Sequence, residues 1–142
     1  MKKLISVSVF LIFVVSSFTV NCFAVDKKTN IALSKSAKVE VYYFHFTRRC
    51  VTCQAVEKES KAAIAALYPS QAKKGLITFK AVNLDDATST SLAKKCDVSG
   101  QSLLVKSGGK SVDLTEKGFM YALNSPEKLK AELKKVIDPL LR

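Results

Sequence analysis

Tryptophan is absent from this chain of 142 residues, histidine occurs once, and acidic side chains are scarce, 12 against 23 lysines and arginines. A lone histidine leaves no HxxxH pair, and a single Cys-x-x-Cys without a second leaves no ligand set of the zinc-finger kind. Five glycines and three prolines are too few for a low-complexity linker, and no internal repeat occurs. The acid shortage gives a formal charge of +11. Its lysines are spread through helical stretches (Lys58, Lys61, Lys73, Lys74, Lys128, Lys130, Lys134 and Lys135) with no nucleic-acid signature around them. They read as solvated faces, and nucleic acid is not an expected partner. The same surplus would also draw an exported chain to anionic lipid headgroups or an acidic partner.

One uncharged apolar run is long: Leu4 to Val20, behind Lys2 and Lys3 and ahead of Cys22-Phe23-Ala24, which offers small residues at the −3 and −1 positions of a cleavage site. Residues 1–24 are therefore expected to be a secretory signal peptide, 25–37 a flexible lead-in, and 38–142 one domain, large enough for its own core. Two alternatives stay open. Leu4 to Val20 is at the short edge of a spanning helix and would serve as an uncleaved anchor. Cys22 is a candidate for lipidation, although Asn21 stands where Gly, Ala or Ser is expected. Export would put the protein in the periplasm or cell envelope.

The chemistry-bearing motif is Cys50-Val51-Thr52-Cys53, which follows the apolar run Val39 to Phe46 and opens a helical pattern. Unpaired N–H groups and the macrodipole at a helix N-terminus favour an anionic sulfur, and cysteines three apart on one turn can close a disulfide. Thiol–disulfide chemistry is the first reading; a metal site and a merely structural pair are the others.

Val39 to Phe46 is apolar on both faces, as in an interior strand. From Cys53 the pattern is helical, with Val56, Ser60, Ala63, Ile64 and Leu67 on one face and Tyr68-Pro69 as the stop. Gly75 releases a second strand, Leu76 to Leu84, which ends at Asp85-Asp86. A strand, a helix and a strand in that order imply a βαβ unit with parallel strands. A short helix from about Thr88 to Lys95 follows, with Leu92 as its buried contact. Ser102 to Val105 is a strand, and Gly108-Gly109 turns the chain so that Val112 to Leu114 returns antiparallel. Ser125-Pro126-Glu127 caps a last helix whose apolar stripe is Leu129, Leu133, Val136 and Leu140. The expected fold class is α/β, with a central mixed sheet of four to five strands flanked by helices.

In this order of elements, residues 38 to 140 resemble the thioredoxin fold. More narrowly, the run from Tyr42 through Cys50 and Cys53 to Glu57, with Lys117-Gly118-Phe119-Met120-Tyr121-Ala122, resembles the thioredoxin-like family of the nitrophenyl compound nitroreductase subunit ArsF. That resemblance implies association with an organoarsenical or nitroaromatic system beside a membrane partner. No residue here points to a flavin, and no cofactor is expected.

Against the thioredoxin pattern there are three departures. The acid expected six residues before the first cysteine is Phe44, its lysine partner on the next strand aligns with Ala81, and Gln101 replaces the cis-proline of the active-site loop. A cis bond before a non-proline residue costs about 2.5–4 kcal/mol, so the loop is expected to be trans, with the Gln101 amide available to the dithiol. Activation of Cys50 would instead come from Arg48 and Arg49 directly before it, whose permanent charges lower a thiol pKa, with Thr52 close by within the motif. Cys50 is then the nucleophile and Cys53 the resolving thiol. A stabilised thiolate makes the pair more oxidising than a reductase that has the relay. The arginines also read as solvated loop charges.

His45 is expected to be a strand residue satisfied by its neighbours, and Cys96 a small packed group, although Cys50, Cys53, His45 and Cys96 would together furnish a soft metal site if folded close. Two functional classes follow. One is a monomeric thiol–disulfide oxidoreductase acting on a protein thiol or disulfide and drawing electrons from a membrane-embedded donor. The other is a carrier whose vicinal thiolates hold a soft metal or a trivalent arsenical.

Overall fold

Val39–His45 forms the first strand (β1), and its β-branched and aromatic side chains are buried on both faces. The computed structural model describes residues 38–142, so the expected leader, Cys22 and the lead-in lie outside the described residues. After a five-residue loop comes α1 (Val51–Leu67), then α2 (Pro69–Lys73), β2 (Ile77–Asn83), a 3-10 turn at Ala87–Ser89 continuing into α3 (Thr90–Lys95), β3 (Ser102–Ser107), β4 (Lys110–Asp113), α4 (Thr115–Tyr121) and α5 (Pro126–Ile137). Among the described residues no helix is long and apolar enough to cross a membrane.

The four strands are ordered β2-β1-β3-β4. β1 pairs parallel with β2, Tyr43 facing Ala81, and antiparallel with β3, Tyr43 facing Leu103; β3 and β4 are antiparallel. This is the thioredoxin-like α/β arrangement: a mixed four-stranded sheet flanked by helices, with the parallel pair joined across α1. Turn chemistry sets two of the connections. Gly75, at φ +67°, ends α2 ahead of β2, and Gly108, at φ +57°, occupies the first position of the two-residue β3–β4 turn.

Alternation along β1 divides the interior in two. Val39, Val41 and Tyr43 pack with Val56 and Ile64 of α1 and with Leu129, Leu133 and Ile137 of α5. Tyr42 and Phe44 face the other way, against Leu104, Ala93 and Cys96. At about 1.5–3 kcal/mol for each fully buried aliphatic or aromatic side chain, the α1/α5 layer supplies most of the hydrophobic stabilisation.

Several expectations from sequence are corrected. Tyr68-Pro69 ends α1 as expected, with Tyr68 as its C-cap, but a further short helix not expected from the sequence, α2, starts at Pro69, where the missing N–H costs nothing. β2 is one residue shorter at each end than expected, and the last strand is Lys110–Asp113, with Leu114 capping α4 instead. In α3 the buried residue is Ala93, and Leu92 is half-buried. Ile137, not Val136, completes the buried stripe of α5, since i, i+4 and i+8 from Leu129 stay in line on one face; Val136 and Leu140 pack only at its edge. Ser125 is the N-cap of α5 but makes no side-chain cap bond.

Candidate functional site

The helix that carries the two sulfurs starts one residue after the first of them. Cys50 is the N-cap of α1, in extended backbone conformation (φ −74°, ψ 169°), and its Sγ accepts the backbone N–H of Cys53 at 3.3 Å. Cysteine here takes the place of the usual Ser, Thr, Asp or Asn cap, whose side chain accepts from the third helical N–H. The two cysteines are disulfide-bonded with Cα atoms 5.2 Å apart. They are not equivalent: Cys50 is exposed, whereas Cys53 is 3% exposed. No acidic residue lies in the first turn of α1, so no carboxylate there opposes a thiolate at Cys50.

The loop before Cys50 is tied down from β2. Thr47 donates its N–H to Asp85 Oδ2 at 2.8 Å, and Asn83 Nδ2 donates to Thr47 Oγ1 at 2.9 Å. The Thr47 N–H bond holds the Asp85 carboxyl below the usual carboxylate range. These contacts place Phe46 to Arg49 over the end of the parallel pair, where open α/β sheets commonly put their sites.

The two arginines do different things. Arg48 is exposed on the loop. Arg49 is half-buried and ion-paired with Glu57. The Glu57 carboxylate that holds the Arg49 guanidinium offsets much of the positive charge Arg49 would otherwise present to the exposed sulfur. Of the two arginines expected to activate Cys50, Arg48 stands exposed on the loop and Arg49 is paired with Glu57.

Under the helix, the residue on the α1 side of β1 is Tyr43, not Phe44. Phe44 belongs to the opposite layer, so it does not occupy the relay position assigned to it; Ala81 lies beside Tyr43 on β2. The Tyr43 hydroxyl donates to Gln101 Oε1 over a long 3.5 Å. Burial pushes the Tyr43 phenol up to about 12, with Arg49 pulling it down and Glu57 pushing it up. Gln101, half-buried just ahead of β3, is thus engaged by Tyr43, and Thr52 is half-buried within the first turn.

His45 ends β1 on the Tyr43 face, its ring 5.8 Å from that of Tyr43, and its Nδ1 hydrogen-bonds the Phe46 carbonyl at 2.9 Å. It is satisfied by its neighbours, as expected. Cys96 is free and buried with Tyr42 and Phe44, on the sheet face opposite α1. The fold therefore does not gather Cys50, Cys53, His45 and Cys96, and among the described residues no group of three or more His, Cys, Asp or Glu is placed to hold a metal ion.

Glu57 and Tyr43 are the residues of this site that sequence reading did not single out. Glu57 had a detectable signal, since it falls four residues after Cys53 on a helix, one turn along the same face.

On the opposite flank of the motif, Gly118 of α4 lies against Val56 and Leu103, and this close approach brings Ala122 and Leu123 beside Val51. The resulting open groove, about 310 Å³, is lined by Val51, Gln54, Ala55, Lys58, Glu59, Ala122 and Leu123. Val51, Met120 and Leu123 are large apolar side chains left exposed.

No protein-family model matches the chain, and no curated protein matches it. It is similar to a solved structure described as "Structure of a malarial protein", at 21% identity and a TM-score of 0.46, over 69% of this chain and 96% of the other.

Proposed function

We propose that this protein is a thiol–disulfide oxidoreductase that works through the Cys50–Cys53 pair. The observation that carries the reading is the asymmetry of the pair. An exposed sulfur caps the helix and can be attacked or can attack, and a nearly buried one behind it can resolve the mixed disulfide. The groove beside Val51, lined by both apolar and charged side chains, suits a polypeptide substrate, so a protein thiol or disulfide is the proposed partner. The proposed location is the cell envelope after removal of residues 1–24, with a membrane-embedded donor or acceptor of electrons. Membership of the thioredoxin-like ArsF family is part of the same proposal and rests on the sequence resemblance alone.

The test is capture. A full-chain Cys53→Ala variant expressed in cells should accumulate Cys50-linked mixed disulfides that reducing agent releases, and Cys50→Ala should accumulate none. An empty trap, together with one trivalent arsenical or Cu(I) bound per reduced protein and no turnover, would make the protein a carrier instead.

A further inference from the structure

Resolution of a mixed disulfide requires Cys53 as a thiolate, because the thiol is not the nucleophile. At 3% exposure Cys53 cannot hand its proton straight to bulk water, so a neighbouring group has to take it. We propose that Glu57 is that group: the proton acceptor for Cys53 when the disulfide closes, and the donor when it opens. This deepens the exchange reading and rests on it.

Geometry and elimination carry the assignment. Glu57 is one turn beyond Cys53 on the same face of α1, a spacing that puts side chains four residues apart in reach of each other. It is partly buried, held by Arg49, and also lines an open cleft of about 410 Å³ with Arg49, Gln54, Lys58 and Lys61. The cleft opens Glu57 to water, so a proton it accepts has a way out. The other groups facing this region serve less well. Arg49, Lys58 and Lys61 are cations with no acceptor, Gln54 and Gln101 do not titrate, and the buried Tyr43 phenol keeps its proton at neutral pH. His45 is the one rival, at the end of β1 on the Tyr43 face, with its Nδ1 committed to the Phe46 carbonyl.

In the closing step, Cys53 gives its proton to the Glu57 carboxylate and its sulfur attacks Cys50 Sγ of the mixed disulfide. The Cys50–Cys53 bond forms, the bond from Cys50 to the substrate sulfur breaks, and the substrate leaves with that electron pair as a thiolate. Glu57 then returns the proton to water or to the departing thiolate. The opening step is the reverse.

The experiment uses reduced full-length protein and the coloured aromatic disulfide dithiobis(nitrobenzoate), in stopped flow. Attack by Cys50 releases a first thiolate, and attack by Cys53 on the mixed disulfide releases a second. Glu57→Gln should slow the second release by about tenfold or more, the lower range of general acid–base effects being about a hundredfold, and leave the first within about twofold, which also reports a folded site. Glu57→Asp should recover part of the rate, and added formate should speed the second release in Glu57→Gln but not in the unaltered protein. A second release unchanged in Glu57→Gln, a loss that formate does not rescue, or a selective loss in His45→Gln would overturn the proposal. Failure of the exchange reading itself would look different: both releases would follow the expected pattern while Cys53→Ala trapped no partner in cells.

Discussion

The backbone N–H of Cys53 points at the sulfur of Cys50 across 3.3 Å, so a 17-residue helix is capped by a cysteine. In the reduced protein that N–H and the helix terminus stabilise the Cys50 thiolate, and no first-turn carboxylate opposes them. Cys50 should therefore alkylate with an apparent pKa below the free-thiol value of about 8.5. A rate of iodoacetamide labelling that climbs only at or above that value would refute the capping argument. Arg49→Gln should move the value less than Arg48→Gln, since the Glu57 carboxylate already offsets the Arg49 charge.

Tyr43 and two other buried tyrosines make the fold alkali-sensitive. Burial is the first cause that raises Tyr42, Tyr43 and Tyr68, with the Glu40 carboxylate next for Tyr42 and Asp138 for Tyr68. Folded values above the ordinary 10.0 mean that the neutral phenols favour the folded state. Their contribution is complete below pH 10 and is lost as pH rises from there through about 12 for Tyr43. Tyrosinate absorbance and circular dichroism followed together should show these phenols ionising along with unfolding. Tyr43→Phe should shift that transition upward.

Gly118 is set by packing. A Cβ built there lies 3.2 Å from Leu103 Cδ2 and 3.2 Å from Val56 Cγ1, both on fully buried side chains. Gly118→Ala should come out near neutral, because about 1 kcal/mol of helix propensity offsets the crowding. Gly118→Val should lose about 1–3 kcal/mol in urea unfolding. Full stability for the valine variant would mean that α4 does not depend on this close approach.

Ser60 sits on the core face of α1, fully buried, with a hydroxyl that has no hydrogen-bond partner. An unsatisfied buried hydroxyl costs about 1–3 kcal/mol, so Ser60→Ala should raise the urea midpoint. A lower midpoint would show that the hydroxyl is bonded after all.

Much of this could be read along the chain. β1 announced itself as a doubly apolar run, α1 by the spacing of Val56, Ser60, Ala63 and Ile64, and the hairpin by Gly108-Gly109. These are local patterns, and local patterns survive in one dimension. α4 was hidden because Gly118 sits at its centre and lowers its helix propensity; only contact with Val56 and Leu103 accounts for the glycine. α2 was hidden because Pro69 reads equally as the end of one helix and the start of the next.

The sequence by itself determined the chemistry on offer: two thiols three residues apart at the head of a helix, with cations before them. Tertiary structure decided how that chemistry is deployed. Which β1 side chain lies under the helix depends on strand alternation relative to α1, and it is Tyr43, not Phe44. The Arg49–Glu57 pair joins a loop to the second turn of a helix, and the sheet itself stands between Cys96 and the disulfide. Each of these outcomes turns on contacts between elements packed together by burial of their apolar faces, and burial is a property of the assembled layers, not of any segment alone.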